Sequence, residues 1–182
     1  HMAVSAIFNC LWDLIAKKNK KPLWQFVVES EPETILSWLT FKYIDDVLTP
    51  DEALKLLRKM QNNKQERINT ILKEGYPSYT TAAGWLGYSD DKIVQLCKQY
   101  MSKGWKHFKI KVGLDLEADV KRLELIRNTI GKDCFIMVDA NQQWNIEQSI
   151  KHINAYKKFD LLFVEEPTSP DDVMGFSKIK KE

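Results

Sequence analysis

"HFKIKVGLD", residues 107–115, sets two lysines two positions apart in a run that otherwise alternates as a strand does. Successive side chains of a strand point to opposite faces, so Lys109 and Lys111 share one face while Phe108, Ile110 and Val112 share the other. The apolar face calls for packing. The two like charges call for anions close by.

Downstream, two further apolar runs end in carboxylates. "CFIMVDA" (134–140) closes on Asp139 and "DLLFVEEP" (160–167) on Glu165. Lys111, Asp139 and Glu165 lie 28 and 26 residues apart, the size of one strand–helix unit. Between them, "DLEADVKRLELIRNTIG" (115–131) and "NIEQSIKHINAYKKF" (145–159) read as helices, and "DDVMGFSKIKKE" (171–182) starts another. Upstream, "SDDKIVQLCKQYMSKG" (89–104) is a helix capped by Ser89 and closed by Gly104, and "YTTAAGWLG" (79–87) reads as a strand. Four strands, each followed by a helix, predict parallel strands in an α/β architecture.

The first 75 residues have a different texture. Val4, Ile7, Phe8, Leu11, Leu14 and Ile15 recur at helical spacing. "LTPDEALKLLRKM" opens with Thr49 as N-cap, Pro50 at the first helical position and Glu52 completing a capping box. "KQERINTILKEG" stops at Gly75. This segment reads as mostly helical. The 182 residues carry 27 basic and 25 acidic side chains, a net charge of +2 that argues against a nucleic-acid surface. No apolar run approaches the roughly 20 residues of a membrane span. Three cysteines without metal-like spacing suit a reducing compartment, and Cys97 and Cys134 read as core residues. The opening His1-Met2 looks vector-derived.

In parallel α/β proteins, ligands and catalytic groups collect at the C-terminal ends of strands, so two lysines and two carboxylates are expected at one mouth. Carboxylates from neighbouring strands suit a hard cation such as Mg²⁺. A lysine beside another cation can serve as a base. Together they suit removal of a proton next to a substrate carboxylate. Each feature alone is weak, since a strand-end aspartate is more often a cap and a K-x-K pair also occurs on edge strands. Their recurrence at successive strand ends gives the set its force.

"FKIKVG", "VDANQQW" and "FVEEPTSPDD" together resemble the K-x-K, D-x-N and E-E-P elements of the enolase superfamily, mandelate racemase-like branch. The longer stretches "NCLWDLIAKKNKKPLWQ", "LTPDEALKLL" and "GYPSYTTAAGWLGYSDD" resemble L-fuconate dehydratases and their animal relatives. The resemblance implies a (β/α)₈ TIM-like barrel, of which 76–182 would be the first half with about four βα units. Residues 1–75 would then be a mostly helical remnant of the capping region. It implies Lys111 as catalytic base, Lys109 as substrate contact, Asn141 as a substrate neighbour, Asp139 and Glu165 as two Mg²⁺ ligands, and Glu166 in a supporting position turned away from Glu165. Trp85 and Tyr88 are possible pocket walls, although aromatics at such positions more often pack.

The implied reaction is loss of water from a sugar acid such as L-fuconate to give a 2-keto-3-deoxy acid, in mitochondria or cytoplasm. The family's third carboxylate ligand and histidine acid have no counterpart here, and His107 and His152 lie at a strand's start and within a helix. The chain is therefore expected to be a central fragment, inactive alone and prone to self-association. Two alternatives stand beside it: a non-catalytic truncated isoform acting through its surfaces, and an unrelated doubly wound binding protein. The absence of a glycine-rich phosphate loop weighs against nucleotide binding.

Overall fold

The computed structural model describes residues 2–182, so the reading of His1 lies outside the described residues. The chain divides into two compact units, His1–Tyr76 and Pro77–Glu182.

The first unit is helical: α1 (Met2–Lys18), α2 (Leu23–Glu29), α3 (Pro32–Ser37), α4 (Pro50–Lys59) and α5 (Lys64–Glu74). Its start signals act as the sequence dictates. The Thr49 hydroxyl accepts from the Glu52 amide while the Glu52 carboxylate accepts from the Thr49 amide at 2.9 Å, completing the capping box. The aromatic trio Trp12, Phe26 and Trp38 gathers α1, α2 and the end of α3, with the Trp12 and Trp38 rings 5.1 Å apart and edge-on. The apolar positions Val4, Ile7, Phe8, Leu11 and Leu14 of α1 are exposed.

The second unit alternates: α6 (Asp90–Ser102), β1 (His107–Lys111), α7 (Leu116–Ile130), β2 (Phe135–Asp139), α8 (Ile146–Tyr156), β3 (Leu161–Glu165) and α9 (Val173–Lys181). The three strands pair in parallel in the order β1-β2-β3. Phe108, Ile110, Ile136 and Val138 turn to one face and form a fully buried core with Ile93 and Cys97 of α6, Leu123 and Ile126 of α7 and Tyr156 of α8. Burial pushes the Cys97 thiol up to about 11, which keeps it protonated and inert. Ser89, Asp115 and Asn145 cap α6, α7 and α8 through their side chains. Among the described residues, no helix is long and apolar enough to cross a membrane.

One expected element does not form. Residues 79–87 make a single bridge to β1, Thr80 to Phe108, and no fourth strand. The Thr80 hydroxyl accepts from the Ala82 amide at 3.1 Å and the Gly84 amide donates to the Thr81 carbonyl at 2.9 Å, so the chain turns where a strand would continue. It returns at Gly84, whose carbonyl accepts from the Lys111 amide at 2.8 Å. A Cβ at Gly84 would fall 2.1 Å from the Lys109 carbonyl oxygen, so only glycine permits this approach.

Candidate active site

The parallel register sets Lys109 opposite Met137 and Lys111 opposite Asp139, and Asp139 opposite Glu165. The three strand ends thus lie side by side, and alternation turns both lysines and both carboxylates to the face away from the helices. The Lys109 ammonium bridges the carboxylates, 3.2 Å from Asp139 Oδ2 and 2.6 Å from Glu165 Oε2. Lys111 Nζ lies 2.7 Å from the same Asp139 oxygen and 2.8 Å from Asn141 Oδ1. The other Asp139 oxygen accepts from the Asn141 amide at 3.0 Å.

Burial grades across the cluster. The side chains of Asp139 and Lys109 are 4% and 9% exposed, Lys111 22% and Glu165 38%. Burial disfavours the Lys109 ammonium, yet its hydrogen bonds to Glu165 and Asp139, with Tyr79 alongside, outweigh burial and raise its pKa well above the usual lysine value. Burial likewise disfavours the Asp139 carboxylate, but Lys111, the Asn141 amide and Lys109 together hold its pKa below the usual aspartate value. Lys109 and Asp139 are therefore held charged.

Past the strand ends the backbone is unusual. Asn141, Gln142 and Glu166 adopt left-handed conformations, with φ of 48°, 62° and 46°. The two turns hold each other: the Ala140 amide donates to the Glu165 carbonyl at 3.0 Å and the Gln142 amide to the Glu166 carbonyl at 2.8 Å. β3 ends at Glu165, so strand alternation does not itself fix the direction of Glu166. The Glu166 carboxylate accepts from Asn141 Nδ2 at 3.4 Å and borders the same cluster.

Two aromatics from the 79–87 segment stand over the lysines. The Tyr79 ring centroid lies 4.9 Å from Lys109 Nζ and that of Trp85 5.9 Å from Lys111 Nζ. Tyr88 instead packs against the core beside Lys92. Tyr79 was not expected; it closes the "GYPSY" stretch (75–79), and the pairing of the next residue, Thr80, with β1 sets it beside the lysine. The two described histidines, His107 and His152, stay away from the C-terminal strand ends. His107 stacks on Phe135 at 4.7 Å and His152 lies beside Trp144 at 4.5 Å.

Two hard-oxygen carboxylates, already bridged by a cation, fit Mg²⁺ in kind. They fall short in number, since among the described residues no group of three or more His, Cys, Asp or Glu side chains could hold a metal ion.

A family model described as Enolase C-terminal domain-like matches residues 92–182. The chain belongs to the enolase superfamily. Within that superfamily it is similar to mitochondrial enolase superfamily member 1 of Homo sapiens, 46% identical over 181 residues that make up 100% of this chain and 41% of the relative. The crystal structure of that human protein superposes with a TM-score of 0.95, again over 100% of this chain and 41% of that one. L-galactonate dehydratase of Hypocrea jecorina is 42% identical over 183 residues, 99% of this chain and 41% of the relative. A racemase from Streptomyces coelicolor A3(2), solved with bound magnesium, has a TM-score of 0.55 at 29% identity, covering 84% of this chain and 48% of that one. The chain thus spans about 41% of the length of the curated relatives it matches. The three parallel strands and their helices are an arc of the enolase-superfamily fold.

Removing the Lys109 charge leaves Asp139 with Lys111 alone and strands Glu165. Losing one partner of a fully buried pair costs roughly 3–5 kcal/mol. Here Lys111 remains and Glu165 is more than a third exposed, so Lys109→Met is expected to cost about 2 kcal/mol. The guanidinium unfolding midpoint measures it, and an unchanged midpoint would show that the bridge contributes nothing.

Proposed function

We propose that this chain supplies the proton-abstracting part of a Mg²⁺-assisted sugar-acid dehydratase site. The observation that carries the reading is the convergence of Lys109, Lys111, Asp139 and Glu165 at adjoining strand ends. Superfamily membership and a relative named as an L-galactonate dehydratase support it.

Asp139 and Glu165 would hold Mg²⁺, which when bound would supply Lewis acidity at the substrate carboxylate. Lys111 takes the proton from the carbon next to that carboxylate. Lys109 stays protonated and pairs with the negative charge that develops on the substrate. Asn141, already within hydrogen-bond reach of Lys111, orients that amine and offers its amide to a substrate hydroxyl. Glu166 fixes Asn141 from behind. Tyr79 and Trp85 stand over the two ammonium groups and wall that side of the site. The 3-hydroxyl then leaves as water, protonated by an acid from outside these residues, and the enol becomes a 2-keto-3-deoxy acid. L-fuconate or a similar sugar acid is the proposed substrate, and mitochondrion or cytoplasm the proposed compartment. The free thiols of Cys10, Cys97 and Cys134 agree with a reducing one.

A second reading, a non-catalytic protein acting through its surfaces, draws on one observation: no third carboxylate or histidine joins the pair among the described residues. A chimera separates the two. This chain replaces the matched stretch of the Hypocrea L-galactonate dehydratase, whose own turnover is the control. Mg²⁺-dependent release of a 2-keto-3-deoxy acid is expected, lost by about 10³-fold in Lys111→Ala. A folded chimera without turnover, or one indifferent to Lys111→Ala, would overturn the dehydratase reading.

The arc also leaves backbone unpaired. Leu162 and Phe163 of β3 are exposed, and an open strand edge is a template for another strand. We propose that a second copy covers this edge when the chain is purified alone. Size-exclusion with light scattering should give a mass above one chain that falls on dilution, whereas a monomer at every concentration contradicts the proposal.

A further inference from the structure

Behind the site, a buried polar network that the proposed chemistry does not use reaches the backbone of Lys111. Asp119 of α7 is 3% exposed. A carboxylate there is costly unless its oxygens are satisfied. Its Oδ2 accepts from the Gly113 amide at 2.8 Å and from the Tyr156 hydroxyl of α8 at 3.1 Å, and its Oδ1 faces Arg122 Nη2 at 3.4 Å. The same Arg122 nitrogen donates to the Lys111 carbonyl.

These contacts lie where the sheet ceases to hold the chain. β1 ends at Lys111. The Lys111 amide is held by the Gly84 carbonyl at 2.8 Å and the Val112 amide by the Asp139 carbonyl at 3.0 Å. The Lys111 carbonyl and the Gly113 amide are instead held by side chains of one helix, and those side chains hold each other. Gly113 has φ +121°, a conformation that favours glycine, and a Cβ there would meet the Ala140 carbonyl oxygen and Gln143 at a tight 3.2 Å, so the chain after β2 lies close against this turn. Tyr156 joins α8 to this anchor, and His152 Nδ1 stands 3.3 Å from the Tyr156 oxygen.

We infer that Asp119, working with Arg122 and Tyr156, is a positioning residue for Lys111, fixing the backbone from which its amine reaches Asp139, Asn141 and the substrate. The inference rests on the dehydratase reading for its catalytic consequence. Its structural premise stands independently of that reading. Misplacing a reacting group by about 1 Å costs on the order of 10²-fold in rate, so a small drift of this strand end is enough to matter.

The test has two arms. In the chain itself, amide hydrogen exchange is followed at Gly113, with Val138 of β2 as internal control. Asp119→Asn and Tyr156→Phe should speed exchange at Gly113 and leave Val138 unchanged; equal protection in variant and parent overturns the inference whatever the activity. In the chimera, both variants are expected to lower kcat at least tenfold with KM within twofold, and to raise the deuterium isotope effect at the substrate α-carbon. A variant that merely reduced the folded fraction would lower kcat with an unchanged isotope effect, and that result also overturns the inference. Tyr156→Phe keeps the buried volume and serves if Asp119→Asn does not fold. A parent chimera with no turnover counts against the dehydratase reading and leaves the exchange arm to decide the anchor.

Discussion

A single ammonium group holds three strand ends together. Lys109 lies between Asp139 and Glu165, and its contacts cross the whole sheet from β1 to β3. Such an arrangement needs parallel pairing in this register, since a one-residue slip would send each carboxylate to the helix-covered face. It also needs the apolar backing of Phe108, Ile110, Ile136 and Val138, which are fully buried and fix which way the lysines turn. Packing on one face thus determines charge on the other. The carboxylates, in turn, are what make two neighbouring lysines tolerable.

The same geometry sets what the site can do. The Lys109 ammonium occupies the space between two carboxylates, the place where a hard cation would sit in the proposed site. Lys111, less buried and paired with a single carboxylate and the Asn141 amide oxygen, is the more accessible of the two amines. Left-handed backbone at Asn141, Gln142 and Glu166 follows the strand ends, with Asn141 set against that amine; asparagine tolerates such a conformation, whereas Gln142 and Glu166 hold it only where their surroundings compel them. The mutual hydrogen bonds of the two turns provide that compulsion.

Much of this is legible in the sequence because it rests on local signals. The period-two spacing of Lys109 and Lys111, the apolar runs that end in Asp139 and Glu165, and caps such as Thr49 and Ser89 depend on neighbours a few residues away. What depends on distant partners is not legible. "YTTAAGWLG" has strand-like composition, but the Thr80 hydroxyl turns the chain, and Gly84 touches β1 through backbone alone. Tyr79 lies beside Lys109 because the Thr80 backbone pairs with β1 next to it. Asp119 reads as one more acidic residue in a helix's first turn, and nothing nearby in sequence shows that Gly113, Arg122 and Tyr156 converge on it. Glu166 falls past the point where strand alternation applies.

The most direct test of the account asks whether a divalent cation enters between these carboxylates. Mn²⁺, a paramagnetic substitute for Mg²⁺, is titrated into the chain with its lysine side chains isotopically labelled and followed by NMR. Selective broadening of Lys109 and Lys111 before any other lysine, abolished in Asp139→Asn, is the predicted result. Broadening that spreads evenly over all lysines, or that survives Asp139→Asn unchanged, would contradict the assignment of this cluster as a metal-assisted site.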